Sequence, residues 1–511
     1  MKWMILLTLT LLCPAAFAAD PTIAYKPVPH EADYYRLIDL VTSLAPSSSR
    51  DLHWKPGRPG DTTPVLEVSG MEILDHDRLA VATRKGEVWI IEGAYADPPK
   101  DLKFKLFAKA LHEPLGLLKD GDSLLTMQRS ELTRLRDTNG DGVADEYLTA
   151  AKGWNVSGNY HEFAFGPKRD RYGQLWIALN VGIGPDADNT KPWRGWALIV
   201  TPQGELKPMC AGLRSPCALG ANSEGDMFMA DQQGNWVPAC SLHHLRAGVF
   251  LGNGETLKTL DLPGSTVKLS APIPKDVPYP QALKALPELK PPAVWFPYHK
   301  MGESTTDIVC DQSAGKFGPF DGQLFVSDFT SALICRVYLE KVNGEYQGAC
   351  FPFRQGMASA VVRLAFGRDG SLFAGLTNRG WSSRGTASYG LQRLVWTGKT
   401  PFEIKQMNAR ADGFDLTFTE PVDPIAAADP ARYTGSSYTY IYTEKYGSPE
   451  IESQPLNVTS AVVRGDGLSV RLIVQGMRQY YVHEFHVAVP SASGEALLHS
   501  AAYYTLNQFP H

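Results

Sequence analysis

The sequence carries no basic stripe. Its net charge is −5, with Lys, Arg, Asp and Glu interspersed along 511 residues, so a nucleic-acid partner is set aside. After Met4–Leu12 no apolar run is long enough to cross a bilayer, and no membrane span is expected. There is no Gly-x-Ser-x-Gly elbow, His-Glu-x-x-His helix, phosphate loop or dinucleotide fingerprint, which removes support for serine hydrolase, zincin and nucleotide chemistry. Cys-x-x-Cys-His is also absent, arguing against covalent haem.

What is present suits a turn-rich, all-β protein: 46 Gly and 37 Pro in a chain with 44% hydrophobic and 20% charged residues. The start reads as a secretion signal over residues 1–18: Lys2, then Met4–Leu12, then Ala16-Phe17-Ala18. Leu12 stands where a lipoprotein motif at Cys13 wants a small residue. The mature protein is therefore expected to be periplasmic or secreted. It keeps six cysteines (Cys210, Cys217, Cys240, Cys310, Cys335 and Cys350), which in an oxidising compartment permit three disulfides in about fifteen pairings. Cys310 with Cys335 is the preferred pair, since both lie in strands of one repeat.

Residues 19–62 are polar and Pro-rich around one apolar segment, and read as an arm wrapping the main domain. Over residues 63–401 one phrase recurs: an apolar strand, an Asp-Gly-like turn, a second strand, another turn and a closing strand. Its clearest copy is Gly158-Asn-Tyr-His161-Glu-Phe-Ala-Phe-Gly-Pro followed by Tyr172-Gly-Gln-Leu-Trp-Ile-Ala-Leu. Other copies begin near Val68, Pro114, Gly212, Thr306 and Val362. Six such units predict a six-bladed β-propeller, in which each blade buries its faces only against its neighbours. The Pro- and Lys-rich stretch at about 252–292 reads as an insertion between the fourth and fifth blades. Residues 402–511 keep strand alternation without the repeated phrase, predicting a small separate Ig-like β-sandwich.

Asp137-Thr-Asn139-Gly-Asp141-Gly-Val143-Ala-Asp145 has oxygen ligands at the first, third and fifth places, a glycine at the sixth, a carbonyl at the seventh and a carboxylate at the ninth, a spacing that can wrap calcium. Leu148 replaces the closing Glu, which excludes a helix–loop–helix sensor, and an Asp/Gly hairpin turn without metal is the plain alternative. His161 is the candidate for proton chemistry, because imidazole titrates near neutrality; a hydrogen-bonded structural histidine is the alternative. Arg214, Arg363 and Lys300 enter neighbouring repeats, and cations converging on one funnel would bind an anion by charge-assisted hydrogen bonds. Asn378-Arg379-Gly-Trp381 follows the second strand of the sixth repeat and is expected in the same mouth, or as an ordinary loop.

Asn-Tyr-His161-Glu-Phe-Ala-Phe-Gly-Pro, Gly-Leu-Arg214-Ser-Pro, the Asp137 loop and Phe-Gly-Arg-Asp-Gly-Ser-Leu-Phe together resemble the glucose/sorbosone dehydrogenase family, six-bladed quinoproteins that bind pyrroloquinoline quinone (PQQ) and calcium. The chain looks closest to secreted members from planctomycete-like bacteria, over roughly residues 64–400. The resemblance implies that His161 removes the hydroxyl proton of a sugar or related alcohol while hydride passes to PQQ. Arg214, Arg363 and Lys300, with Asn378 and Arg379 at the mouth, would hold the cofactor, and an external acceptor such as a cytochrome c would take the electrons. Two positions depart from the family's pattern: Ser215 follows the Arg where Asn is common, and Asn180-Val-Gly stands where Gly-Asp is favoured. No Asp that would orient His161 is evident, and Asp231 is only a guess for the channel calcium. A non-catalytic carbohydrate-binding propeller and a calcium-dependent lactonase-like hydrolase remain the alternatives.

Overall fold

The computed structural model describes residues 29–43, 64–75, 77–99 and 102–510; the leader over 1–18, with Cys13, lies outside them. Among these residues nearly all regular structure is strand, and no helix is long and apolar enough to cross a membrane. Five four-stranded antiparallel sheets stand by themselves, spanning residues 68–108, 117–152, 164–211, 218–296, and 361–396 joined by the N-terminal strand Tyr35–Thr42. That strand pairs with Tyr389–Trp396 and completes the last sheet from outside. The innermost strands Val68–Ile73, Leu117–Asp120, Ala164–Arg169, Ala218–Ala221, Thr305–Cys310 and Val361–Phe366 each touch the next, and the last touches the first. This is a β-propeller arrangement whose inner edges face a common hub.

The expectation of six alike blades is corrected. The strands expected as the fifth blade do not form a sheet of their own but open an 11-stranded sheet. Leu333–Val342 and Glu345–Arg354 are ten residues each and turn at Asn343-Gly344, both with positive φ, the signature of a tight hairpin matched to strand twist. This long hairpin offers an edge to which Ala501–Leu506 pairs through Gly348↔Thr505 and Cys350↔Tyr503. The C-terminal strands are thus one large sheet continuous with the propeller, not a small separate sandwich. Ile451–Val463 pairs first with Tyr433–Thr439 and then, from Asn457 on and through an irregularity at Val458/Ser460, with Ser469–Gln475. Phe414, Leu416, Leu472, Phe485 and Tyr504 make the apolar core of this region.

The 252–292 stretch also lies elsewhere than expected. It falls inside the fourth sheet, between Cys240–His244 and the outer strand Val294–Phe296, and its Val277–Pro278 pairs with Ile441–Tyr442 of the C-terminal region. All six cysteines are free thiols. Cys310 and Cys335 cannot bridge, because Leu324–Asp328 runs between their strands and separates them by two strand spacings of about 4.8 Å each, beyond disulfide reach. Burial pushes the Cys210, Cys240 and Cys310 thiols up to about 12, which keeps them protonated and unreactive. Adding a reductant should therefore leave the melting temperature unchanged, as differential scanning fluorimetry would read.

Candidate active-site cavity at the hub

A cavity of about 360 Å³ opens at the hub, a size that suits a small molecule. His161, Arg214 and Arg363 all line it, together with Asn180, Gln232, Glu303, Trp381 and Tyr446. His161 and Arg214 arrive on the turns leading into inner strands, Arg363 lies within one, and Tyr446 comes from the C-terminal region.

Asp231 ends the strand Met227–Asp231, and its carboxylate accepts the Arg214 and Ser215 backbone N–H groups at 2.7 and 2.6 Å and that of Gln232 at 3.0 Å. It therefore shapes the Gly-Leu-Arg-Ser turn, and these bonds explain it without the guessed metal role. Burial raises its carboxyl to about 6, against the pull of those N–H groups and the Arg214 charge. Asp328 repeats the device one unit on, accepting from Glu303 and Ser304 N–H.

The Arg214 guanidinium itself is buried and has no hydrogen-bond or ion-pair partner among the described residues; its Nε is a buried donor left unmatched. Desolvation lowers its pKa, although Tyr446 and Asp231 oppose the shift. Leaving a buried charged donor unpaired is costly, so the geometry favours an anion arriving from the cavity.

His161 lies in the turn before Ala164–Arg169 rather than at the start of that strand. Asn159 fixes this turn: its Oδ1 accepts from the His161 and Ile183 N–H groups at 3.0 and 3.2 Å, and its Nδ2 donates to the Ile183 carbonyl. The imidazole packs edge-on to Tyr160 and has no hydrogen-bond partner among the described residues. Desolvation, then the charges of Arg214 and Arg129, push its pKa below 6.5. At neutral pH the ring is unprotonated and able to accept a proton. Arg129 is itself engaged, donating to Glu113 and to the Tyr160 carbonyl, while Arg84 shares the same Glu113.

The other candidates divide differently. Arg363 lines the cavity, but it sits within a strand rather than in a turn like Arg214. Its nitrogens donate to the carbonyls of Thr306, Val362 and Leu115 and contact Cys217 Sγ, so it braces three inner segments. Lys300 is corrected: its ammonium pairs with Glu450 and Glu484 over the Tyr438 ring, away from the cavity lining. Asn378 and Arg379 do not line it either; Arg379 pairs with Glu67, and its carbonyl accepts from Arg84. Only Trp381 of that stretch reaches the cavity, tilted against Phe329 with its Nε1 donating to Thr330.

The Asp137 loop joins the strands Glu131–Arg136 and Glu146–Lys152. Asp137 accepts from Gly140 and Gly142 N–H, Asn139 from Asp141 N–H, Asp141 from Val143 N–H, and Asp145 from Thr138; the Lys105 ammonium sits on the Asp141 carbonyl. The candidate ligands Asp137, Asn139, Asp141, Val143 and Asp145 therefore stay together in this one loop, with the carboxylate and amide oxygens accepting from backbone N–H groups. Sequence reasoning missed Glu303, whose carboxylate takes Arg384, Ser331 and His299. It also missed Tyr446, which lies in a tyrosine-rich run with no signal that it would reach the hub.

A family described as "Domain of unknown function (DUF7133)" matches residues 71–272. No curated protein matches the chain. Similar solved structures include a putative oxidoreductase (glucose dehydrogenase) from Thermus thermophilus, 15% identical over 71% of this chain and 100% of its own, with a TM-score of 0.47. PQQ-bound aldose sugar dehydrogenase from Streptomyces coelicolor is 11% identical over 70% and 98% of the two chains, at a TM-score of 0.46. The PQQ domain of pyranose dehydrogenase from Coprinopsis cinerea, in its holo form, is 12% identical over 73% and 98%, at 0.47. Likeness this distant assigns no role to any residue here.

Proposed function

We propose that this is an exported dehydrogenase of the quinoprotein type that oxidises a sugar or related alcohol. The observation that carries the reading is the buried Arg214 guanidinium, unmatched by any acceptor among the described residues, in a small cavity that also holds a neutral imidazole with no hydrogen-bond partner among them. Arg214 would take a carboxylate edge of PQQ, with the Trp381 and Phe329 rings as apolar wall, so the residues fit one side of that planar acid. PQQ, when bound, supplies the hydride acceptor. His161 accepts the proton of the substrate hydroxyl, and its burial, helped by the Arg214 charge, favours the neutral ring for that task. Arg363 holds the inner strands together beneath. Calcium would be held by the Asp137 loop, whose residues do not line this cavity, and it takes no step in the reaction. The leader supports a periplasmic or secreted location, and an external acceptor such as a cytochrome c would receive the electrons.

Because the base form of His161 is needed, kcat/KM should be retained above its folded pKa and fall as pH drops through it, with the acid limb below 6.5. A limb above that value would remove His161 as the base. The proposal itself is tested by titrating the protein with PQQ, with and without calcium, and then measuring dye reduction across aldoses. No absorbance change on adding PQQ overturns it. The non-catalytic carbohydrate-binding reading draws on one observation, the lack of any carboxylate orienting the His161 ring. A calcium-dependent lactonase-like hydrolase needs an ion ringed by acids, whereas Glu303 is the one carboxylate lining this cavity and it is engaged by Arg384.

A further inference from the structure

The C-terminal region reaches the hub at one place. Segment 443–448 lies along the loop that follows Met227–Asp231, and backbone bonds stitch the two together. Trp236 N–H donates to Thr443 O at 3.1 Å, Gly447 N–H to Gly234 O at 3.0 Å, and Ser448 N–H to Pro238 O at 3.0 Å. Asn235 faces Tyr446 in an antiparallel bridge, and its Nδ2 donates to Glu444 O at 2.9 Å. This seam sets the Tyr446 ring in the cavity wall with its centroid 5.4 Å from Arg214 Cζ, inside cation–π range. Tyr446 is 65% exposed, so core packing does not explain its placement.

Gly234 lies against the same guanidinium. A Cβ on Gly234 would come to 2.0 Å from Arg214 Cζ and Nε, and its φ is outside the left-handed region, so an alanine there would act by displacing the guanidinium rather than by straining the backbone. Arg214 also borders a second cavity of about 620 Å³, whose lining includes Glu255 and Glu444, each paired with a lysine of the same lining, Lys258 and Lys275. Arg214 therefore stands between the hub, with its imidazole, and a roomier outer chamber.

We propose that Gly234 and Tyr446 are positioning residues that hold Arg214 toward the hub, so that the anion site is complete only with the C-terminal region docked. The inference rests on the reading of the hub as the seat of a carboxylate-bearing ligand. Gly234 leaves the space the guanidinium occupies, and the π-face of Tyr446 stabilises the cation where it has no hydrogen-bond acceptor. Without them the guanidinium is free to swing into the space of the outer chamber and no longer meets the ligand.

Calorimetric titration with PQQ tests this on the full chain. Tyr446→Ala should weaken binding roughly tenfold, the scale of a desolvated cation–π contact, while Tyr446→Phe, which keeps the ring, should bind as wild type. Gly234→Ala should weaken binding at least as much. If wild type binds PQQ and Tyr446→Ala binds equally well, the positioning role is overturned and the anion reading stands. If Tyr446→Phe is as weak as Tyr446→Ala, the hydroxyl rather than the ring is responsible, and the account also fails. If wild type does not bind PQQ at all, the underlying reading fails first. The Tyr446 variants decide the question even if Gly234→Ala does not fold, because that side chain is mostly exposed.

Discussion

His161→Ala should lower kcat by roughly two to four orders of magnitude, the usual share of a positioned general base, while the affinity for PQQ stays near that of wild type. The separation follows from the geometry, since the imidazole makes no hydrogen bond among the described residues and its loss disturbs no network there. Stopped-flow reduction of a dye, paired with calorimetry on the same variant, gives both readouts. Unchanged turnover would remove His161 as the base.

The second large effect concerns stability. His499 is held between two carboxylates, with Nδ1 2.7 Å from Glu403 and Nε2 3.2 Å from Glu31. Glu31 also accepts from Arg354 and from the Gln355 N–H, so the cluster ties the N-terminal segment to the long hairpin and the C-terminal sheet. Burial alone would lower the pKa of His499, but the two carboxylates outweigh it and raise it to about 9. Glu31 moves the other way: its burial is outweighed by His499, the Gln355 N–H and Arg354, and its pKa falls below 4.5.

The signs set a window. The contribution of His499 is fully present below pH 6.5 and is lost as pH rises through about 9, whereas that of Glu31 is present above pH 4.5 and is lost on acidification. His499→Ala leaves Glu403, 2% exposed, as an uncompensated buried charge, and should cost about 3–5 kcal/mol. Urea midpoints across pH check both claims. A variant as stable as wild type below pH 6.5 would show that the cluster contributes nothing net.

The propeller was legible because its signal is local. Alternation in Leu175–Leu179 or Leu372–Thr377 and the turns between strands are written within one blade, and the phrase repeats. His161, Arg214 and Arg363 could be brought to one cavity for the same reason: each sits close to an inner strand. Charge alone could not say which cations stay free. Lys300 and Arg379 meet Glu484, Glu450 and Glu67, partners remote in sequence, and Arg363 spends its donors on carbonyls that no side-chain pattern announces. The Asp137 loop shows the limit of spacing arguments, because the residues that would chelate an ion serve equally to cap the N–H groups of a turn. The pairing of Cys350 with Tyr503 depends on where a long hairpin ends, which alternation does not encode.

Tyr35–Thr42 is laid down at the ribosome hundreds of residues ahead of Tyr389–Trp396, the strand it hydrogen-bonds. Until that late segment emerges, its apolar face, Ile38, Leu40 and Val41, has no permanent cover and must be shielded or kept from pairing with another nascent chain. Biogenesis of this ring therefore ends with its earliest strand, and the slowest step in maturation should be the meeting of the chain's two distant stretches.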